Sequence, residues 1–218
     1  MKPLLHDYWR SSACYRVRIA LHLKGVDFDT HVVDLAAGDQ RSEAWRAENP
    51  QGLVPMLEID GHRLVQSLAI MDYLDARHEQ PPFVPKDPAA RSHVLAMALV
   101  VACDIHPLNN LRVLRHLKGE LGQSQEAADE WYRHWVREGL AALEAMAAPG
   151  AGRFLAGDEI GFADICLVPQ LYNARRFDVP LAPYPTLARV EASCLALPAV
   201  AAAHPDVARE IGAKEKMA

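Results

Sequence analysis

Before residue 80 the apolar positions fall into short runs, and after it they recur at helical spacing with no convincing strand. Leu4, Leu5, Tyr8 and Trp9 predict a short strand, and Ser11-Ser12 reads as a loop leading into a helix cap. From Tyr15 to Lys24, Val17, Ala20, Leu21 and Leu23 follow a helical period, with Gly25 closing the helix. Phe28 to Leu35 carries the β-branched Thr30, Val32 and Val33 and predicts a second strand, and Arg41 to Ala47 a short polar helix or loop. Leu53 to Val65 is two apolar runs around Asp60-Gly61, a strong hairpin signal, with Pro55 tolerated at the start of its strand. Gln66-Ser67 then precedes a helix with Leu68, Ile70, Met71 and Leu74 on its apolar face.

The order β-α-β-α-β-β-α ends at Pro81-Pro82 and the proline-rich Pro85 to Pro88, which read as a linker. The domain expectation is 1–80 for the α/β unit, 81–90 for the linker and 91–218 for an all-α unit. Within the latter, Arg91 to Lys118 predicts one helix or a pair, kinked at Pro107. Asp129 to Met146 predicts a helix with Trp131, Trp135, Leu140 and Leu143 on one side. Asp164 to Ala174 is apolar enough to be buried all round, and Leu187 to Leu197 and Ala199 to His204 complete the helices. Lys214 to Ala218 reads as a frayed tail.

Half of the 218 residues are hydrophobic, which supports a real core, and the net charge of −5 argues against nucleic-acid binding, which requires a basic stripe. The four cysteines, Cys14, Cys103, Cys166 and Cys194, form neither a CxxC pair nor a zinc-type cluster. That pattern fits a reducing compartment, disfavours a thioredoxin-type disulfide reductase and predicts no metal site. Met1 to Asp7 lacks the apolar run of a signal peptide. The longest apolar stretch, Val94 to Cys103, is shorter than the ~20 residues of a membrane-spanning helix. These features together predict a cytoplasmic chain with no membrane partner.

The chemistry-bearing residues begin at Arg10-Ser11-Ser12-Ala13-Cys14. Two hydroxyls sit where a strand ends and a helix begins, a place where unpaired N–H groups and the helix dipole stabilise an anion and lower a thiol pKa. Ser11 and Ser12 read equally as plain helix caps. Cys14 reads either as part of such a site or as a small buried hydrophobe. Val54-Pro55 opens a strand, and Gln66-Ser67 stands at a helix start; the arginines are scattered along the chain, and their forks suit carboxylates.

Arg10-Ser11-Ser12 followed by Arg16-Val17-Arg18-Ile19-Ala20-Leu21 resembles the signature of zeta-class glutathione transferases. Further blocks resemble family segments in the same order: Asn49 to Pro55, Gln66 to Ile70, Asp104 to Asn110, Leu167 to Gln170 with Arg176-Phe177, and Pro183-Tyr184-Pro185. The resemblance runs from about Pro3 to about Pro198. It implies a thioredoxin-like N-terminal domain, an all-helical C-terminal domain, glutathione as cofactor and a homodimer.

Residue by residue, the resemblance implies that Ser11, with Ser12 as a second candidate, meets the glutathione thiolate. It implies a cis Val54-Pro55 peptide facing the peptide part of glutathione, Gln66 and Ser67 at its γ-glutamyl end and Gln40 at its glycyl end. It places His106 and Asn110 beside glutathione, and Arg10, Arg112 and Arg176 at the substrate carboxylates. The family reads cysteine at the third position, where this chain has Ala13; Cys14 comes one residue later, ~100° further round a helix. Gly157 to Asp164 resembles a helix-capping element, so Asp164 is expected to be structural.

The activity implied is glutathione-dependent cis–trans isomerisation of a small dicarboxylate-like substrate of the maleylacetoacetate or maleylpyruvate type, a step of aromatic-compound catabolism. Two alternatives stand beside it: a transferase acting on small haloacids, and a non-catalytic binding protein, which would predict loss of the Ser-Ser and Gln-Ser pairs.

Overall fold

Leu5 and Asp7 alternate inward along β1 (Leu4–Asp7), the pattern of a strand with one face on a core. In the computed structural model, which describes residues 1–215, β1 pairs in parallel with β2 (Asp29–Val32), Leu5 opposite Thr30. It pairs antiparallel with β3 (Met56–Ile59), Leu5 opposite Leu57, and β3 continues into β4 (His62–Val65). The sheet order is β2-β1-β3-β4. The hairpin turn puts Asp60 at φ 52° and Gly61 at φ 78°, the two positive values that a type I′ turn requires. The parallel β1–β2 pair needs a crossover, which α1 (Ser12–Leu23) supplies. After the short α2 (Glu43–Glu48), α3 (Ser67–Arg77) packs on α1. The expected β-α-β-α-β-β-α order is present. The first strand is shorter than predicted because the chain turns at Tyr8, whose carbonyl accepts the Ser11 N–H at 2.8 Å.

Two compact units result, and their boundaries differ from the expected 1–80 and 91–218. The first takes in 1–82 and also the segment from Leu197 onward; the second is Phe83–Ala196. Phe83 and Val84, expected in a linker, are already core of the second unit. The returning segment holds α9 (Pro198–Ala202) and α10 (Pro205–Glu215), the latter not predicted. Arg18 explains the return of α9. Its Nε donates to the Ala203 carbonyl at 3.0 Å, while its other nitrogens donate to both carboxylate oxygens of Asp7 and to the Trp9 carbonyl. Lys214 and Glu215 of the predicted frayed tail close α10, and residues 216–218 lie outside the described residues.

The second unit is helical throughout. α4 (Pro88–Leu99) runs into a π-helical turn, Val100–Ile105, and the chain breaks at 106–110, around Pro107, before α5 (Leu111–Gly119). α4 and the π-helical turn form an apolar window of 18 residues with mean hydropathy 1.4, long and apolar enough by length and composition to cross a membrane. The sequence expectation fell short because it stopped at His93. Val94, Met97, Ala98, Val101 and Ile105 of this window are buried in the core of the unit.

α6 (Gln125–Ala147) buries Ala128, Tyr132, Val136, Leu140, Leu143 and Ala147, so the inward stripe lies one position beyond Trp131 and Trp135, which are half-buried. A Cβ on Gly139 would stand 2.2 Å from Ile105 Cγ1, so only glycine lets the π-helical turn approach α6 this closely. α7 (Phe162–Arg176) is buried nearly all round, as predicted. α8 (Pro185–Leu195) has no cap of its own; Glu144 of α6 accepts the N–H groups of Thr186 and Leu187, each at 3.0 Å.

Candidate active site

In the first unit one apolar cluster gathers the α1 start and the residues on either side of Pro55, and reaches the end of β4. Tyr8 and Cys14 from the β1–α1 turn pack with Val54 and Met56 around Pro55, with Val33 and Trp45, and with Val65 just before Gln66. The turn places Ser11 as the N-cap of α1. Its Oγ accepts the Cys14 N–H at 3.3 Å. Ser12 begins the helix and is 7% exposed. Arg10, at the tip of the turn, is exposed, its guanidinium 5.4 Å from the centre of the Trp9 ring.

Cys14 is fully buried, and burial together with the Asp7 carboxylate pushes its thiol pKa up, away from thiolate formation. Of its two sequence readings, the structure supports the buried hydrophobe. The one-residue shift past Ala13 has turned the side chain into the core.

The Val54–Pro55 peptide is cis, as the resemblance implies. The loop before it is fixed through the Leu53 carbonyl, which accepts from Trp45 Nε1 at 3.2 Å and Asn49 Nδ2 at 2.8 Å. Gln66 holds a left-handed φ of 69° directly before α3, an uncommon backbone state for a non-glycine residue and one that gathers at functional sites. Its side chain donates to Gln51 Oε1 at 2.6 Å. Ser67 is buried at the first position of α3, and its Oγ accepts from Arg16 Nη1 at 3.3 Å. Gln40 lies in a single 3-10 turn, Asp39–Arg41, with its side chain buried and its Oε1 unpartnered.

The other predicted residues belong to the second unit. Asn110 caps α5, accepting the Arg112 N–H at 3.1 Å, and Arg112 is exposed on the first turn. His106, half-buried, ends the π-helical turn. The 106–110 segment is pinned to α6 by Trp131 Nε1 donating to the Leu108 carbonyl at 2.9 Å and by Asn109 Nδ2 donating to the Tyr132 carbonyl at 3.4 Å. Arg176, exposed at the end of α7, donates to Asn173 Oδ1 at 3.0 Å and lies 5.7 Å from the Phe177 ring centre.

Asp164 is 1% exposed and accepts the N–H groups of Leu155 (2.8 Å) and Gly161 (2.9 Å), the structural role expected of it. Among the described residues no group of three or more His, Cys, Asp and Glu is placed to hold a metal ion.

Sequence reasoning did not single out Arg16. Its signal was present: an arginine four residues before Ala20 and seven before Leu23 falls on the predicted apolar face of α1.

The β2-β1-β3-β4 sheet, with α1 crossing between its parallel strands and a cis Val54–Pro55 peptide before β3, defines a thioredoxin-like fold. The N-terminal domain of glutathione S-transferases matches residues 5–82 and the C-terminal domain residues 125–207, and the chain belongs to the glutathione S-transferase family. Maleylacetoacetate isomerase of Rhizobium meliloti is 47% identical to it, over 95% of this chain and 98% of that protein. The chain is likewise similar to a solved maleylpyruvate isomerase, described as a zeta-class bacterial glutathione S-transferase, at 41% identity and a TM-score of 0.91, covering 94% and 97% of the two chains. The crystal structure of maleylacetoacetate isomerase from Anaeromyxobacter dehalogenans, with glutathione bound in its active site, is 46% identical with a TM-score of 0.86, covering 94% and 96%.

Proposed function

We propose that this chain is a glutathione-dependent cis–trans isomerase for a maleylacetoacetate- or maleylpyruvate-type substrate. The observation that carries the reading is the apolar cluster joining the α1 start to the residues on either side of the cis Val54–Pro55 bond, in a chain 47% identical to a maleylacetoacetate isomerase. Bound glutathione supplies a thiolate that adds reversibly to one carbon of the cis double bond, so the bond can rotate while single, and the thiol is returned unchanged. Ser11, at the N-cap of α1, would turn its hydroxyl proton to that sulfur. The unpaired N–H groups and positive end of α1 favour the anion further. Ser67 and the first turn of α3 suit the γ-glutamyl carboxylate, the Val54 backbone the peptide part, and Gln40 the glycyl end. His106 and Asn110 are assigned to glutathione by the resemblance alone.

Arg10 and Arg176 are exposed guanidiniums that would bind and orient substrate carboxylates, with Arg112 as a third. The proposal includes a place in aromatic-compound catabolism and a cytoplasmic location, in keeping with four cysteines that are all free thiols. It also includes a homodimer. Leu99 is 42% exposed on an apolar helix, a face that a second copy of the chain would cover.

The test is to follow conversion of cis to trans substrate with and without glutathione while titrating free thiol. Conversion that requires glutathione and leaves the thiol titre constant supports the isomerase. Thiol loss in step with substrate supports the haloacid-type transferase instead, and glutathione binding without turnover supports a binding protein.

A further inference from the structure

Arg16 heads the largest fully buried side chains and is 2% exposed. Nη1 donates to Ser67 Oγ at 3.3 Å, while Nε and Nη2 are buried without a hydrogen-bond partner. Among the described residues of this unit no carboxylate pairs with it, in contrast to Arg18 two positions on, which is satisfied by Asp7, Ala203 and Trp9. A guanidinium stays charged inside proteins, and an unpaired buried charge is strongly unfavourable. The counter-charge must then come from outside the described side chains of this unit.

The one polar group that Arg16 does touch indicates where. Ser67 opens an 11-residue helix whose N-cap, Gln66, offers no side-chain acceptor to the free N–H groups. Because Arg16 donates into Ser67 Oγ, the hydroxyl proton must point elsewhere, and it is available to an acceptor at the helix start. A buried cation, a hydroxyl held as a donor and unpaired N–H groups therefore converge on one place. This combination selects an anion with two oxygens.

We propose that Arg16 is the positioning residue of the γ-glutamyl subsite: from beneath Ser67 it fixes the hydroxyl as a donor and supplies the positive charge that makes the start of α3 select the α-carboxylate of glutathione. This rests on the glutathione reading above. Arg16 touches neither sulfur nor substrate, so its effect falls on thiol-cofactor affinity and not on the chemical step.

The experiment is calorimetric titration of the full chain with glutathione and with γ-aminobutyryl-cysteinyl-glycine, the same thiol lacking the α-carboxylate. Wild type should prefer glutathione by roughly 10- to 100-fold, the range of a buried charge-assisted contact. Arg16→Met should erase most of that preference by weakening glutathione alone, and Arg16→Lys, which keeps the charge but not the fork, should restore part of it. In turnover the loss should appear in KM for glutathione with kcat at saturation unchanged. If Arg16→Met does not fold, Arg16→Lys and Ser67→Ala carry the test, and each should narrow the preference. A preference that survives Arg16→Met or Ser67→Ala in a folded chain, or affinities for both thiols that fall together, would overturn the proposal. Wild type binding both thiols equally would overturn the subsite while leaving glutathione binding intact. Wild type binding neither would overturn the glutathione reading itself.

Discussion

Tyr132 and Phe177 stack face to face, ring centres 3.6 Å apart and planes 7° from parallel. The pair links two parts of the second unit that carry candidate residues. The Tyr132 carbonyl holds Asn109 in the 106–110 turn, and Phe177 follows Arg176 directly and packs under its guanidinium. Tyr132→Ala should therefore destabilise the chain by about 3 kcal/mol or more, as for other buried aromatic truncations. It should also raise the substrate KM more than the glutathione KM. Chemical denaturation and steady-state kinetics measure both, and equal effects on the two KM values would contradict the assignment of Arg176 to substrate.

The buried Arg18–Asp7 ion pair, with Nη1 at 2.7 Å from the carboxylate, fastens the end of β1 to α1, and the same guanidinium holds α9. Removing one partner strands the other charge in the core. Arg18→Met should cost roughly 3–5 kcal/mol of unfolding free energy, read from urea denaturation. A loss below about 1 kcal/mol would show that the pair is replaceable by packing.

Burial raises the Asp164 carboxyl from its ordinary 3.8 to about 6. Both folded and unfolded chains are protonated at low pH. As pH rises from about 4 the unfolded chain releases this proton first, so the favourable contribution is full below the unfolded pKa and is lost as pH passes the folded value. Relative to Asp164→Asn, which cannot titrate, wild-type stability should fall by roughly 2–3 kcal/mol between about pH 4 and pH 7. Unfolding curves at a series of pH values give the difference, and a pH-independent difference would count against it.

Cys14→Ala should keep isomerisation within about twofold of wild type, because the thiol is enclosed and its pKa is pushed up. In the native chain an alkylating reagent should modify Cys103, which is exposed, and leave Cys14 unmodified until the protein unfolds; mass spectrometry of peptides reads both.

Much of this architecture was legible because local chemistry dictates it. Asp60-Gly61 can hardly avoid a tight turn, Ser11 is a natural cap, and the apolar period of α1 survives any environment. The missed parts depend on distant partners. Nothing local to Pro198–Glu215 reveals that Arg18 captures the Ala203 carbonyl, a contact that groups the segment with the first unit. On α6 the expected Leu140 and Leu143 are buried, while Trp131 and Trp135 lie one position off the inward stripe, because tryptophan is large and apolar enough to mimic a core position while its ring N–H seeks an acceptor, as Trp131 finds at Leu108. At the site, Ser11, Gln66 and Ser67 stood out by type and position. For Arg16 the sequence offers only its place on the apolar face of α1; its burial and its two unpartnered nitrogens set it apart.

The central claim is that the α1 start, through Ser11, holds the glutathione sulfur as a thiolate. The direct measurement is the ultraviolet absorbance of bound thiolate against pH, for wild type and Ser11→Ala. In wild type the bound thiol should ionise well below the ~8.5 of a free thiol, and Ser11→Ala should move it back up by at least about one unit. A wild-type titration at the free value, or one that Ser11→Ala leaves unchanged, would contradict the account.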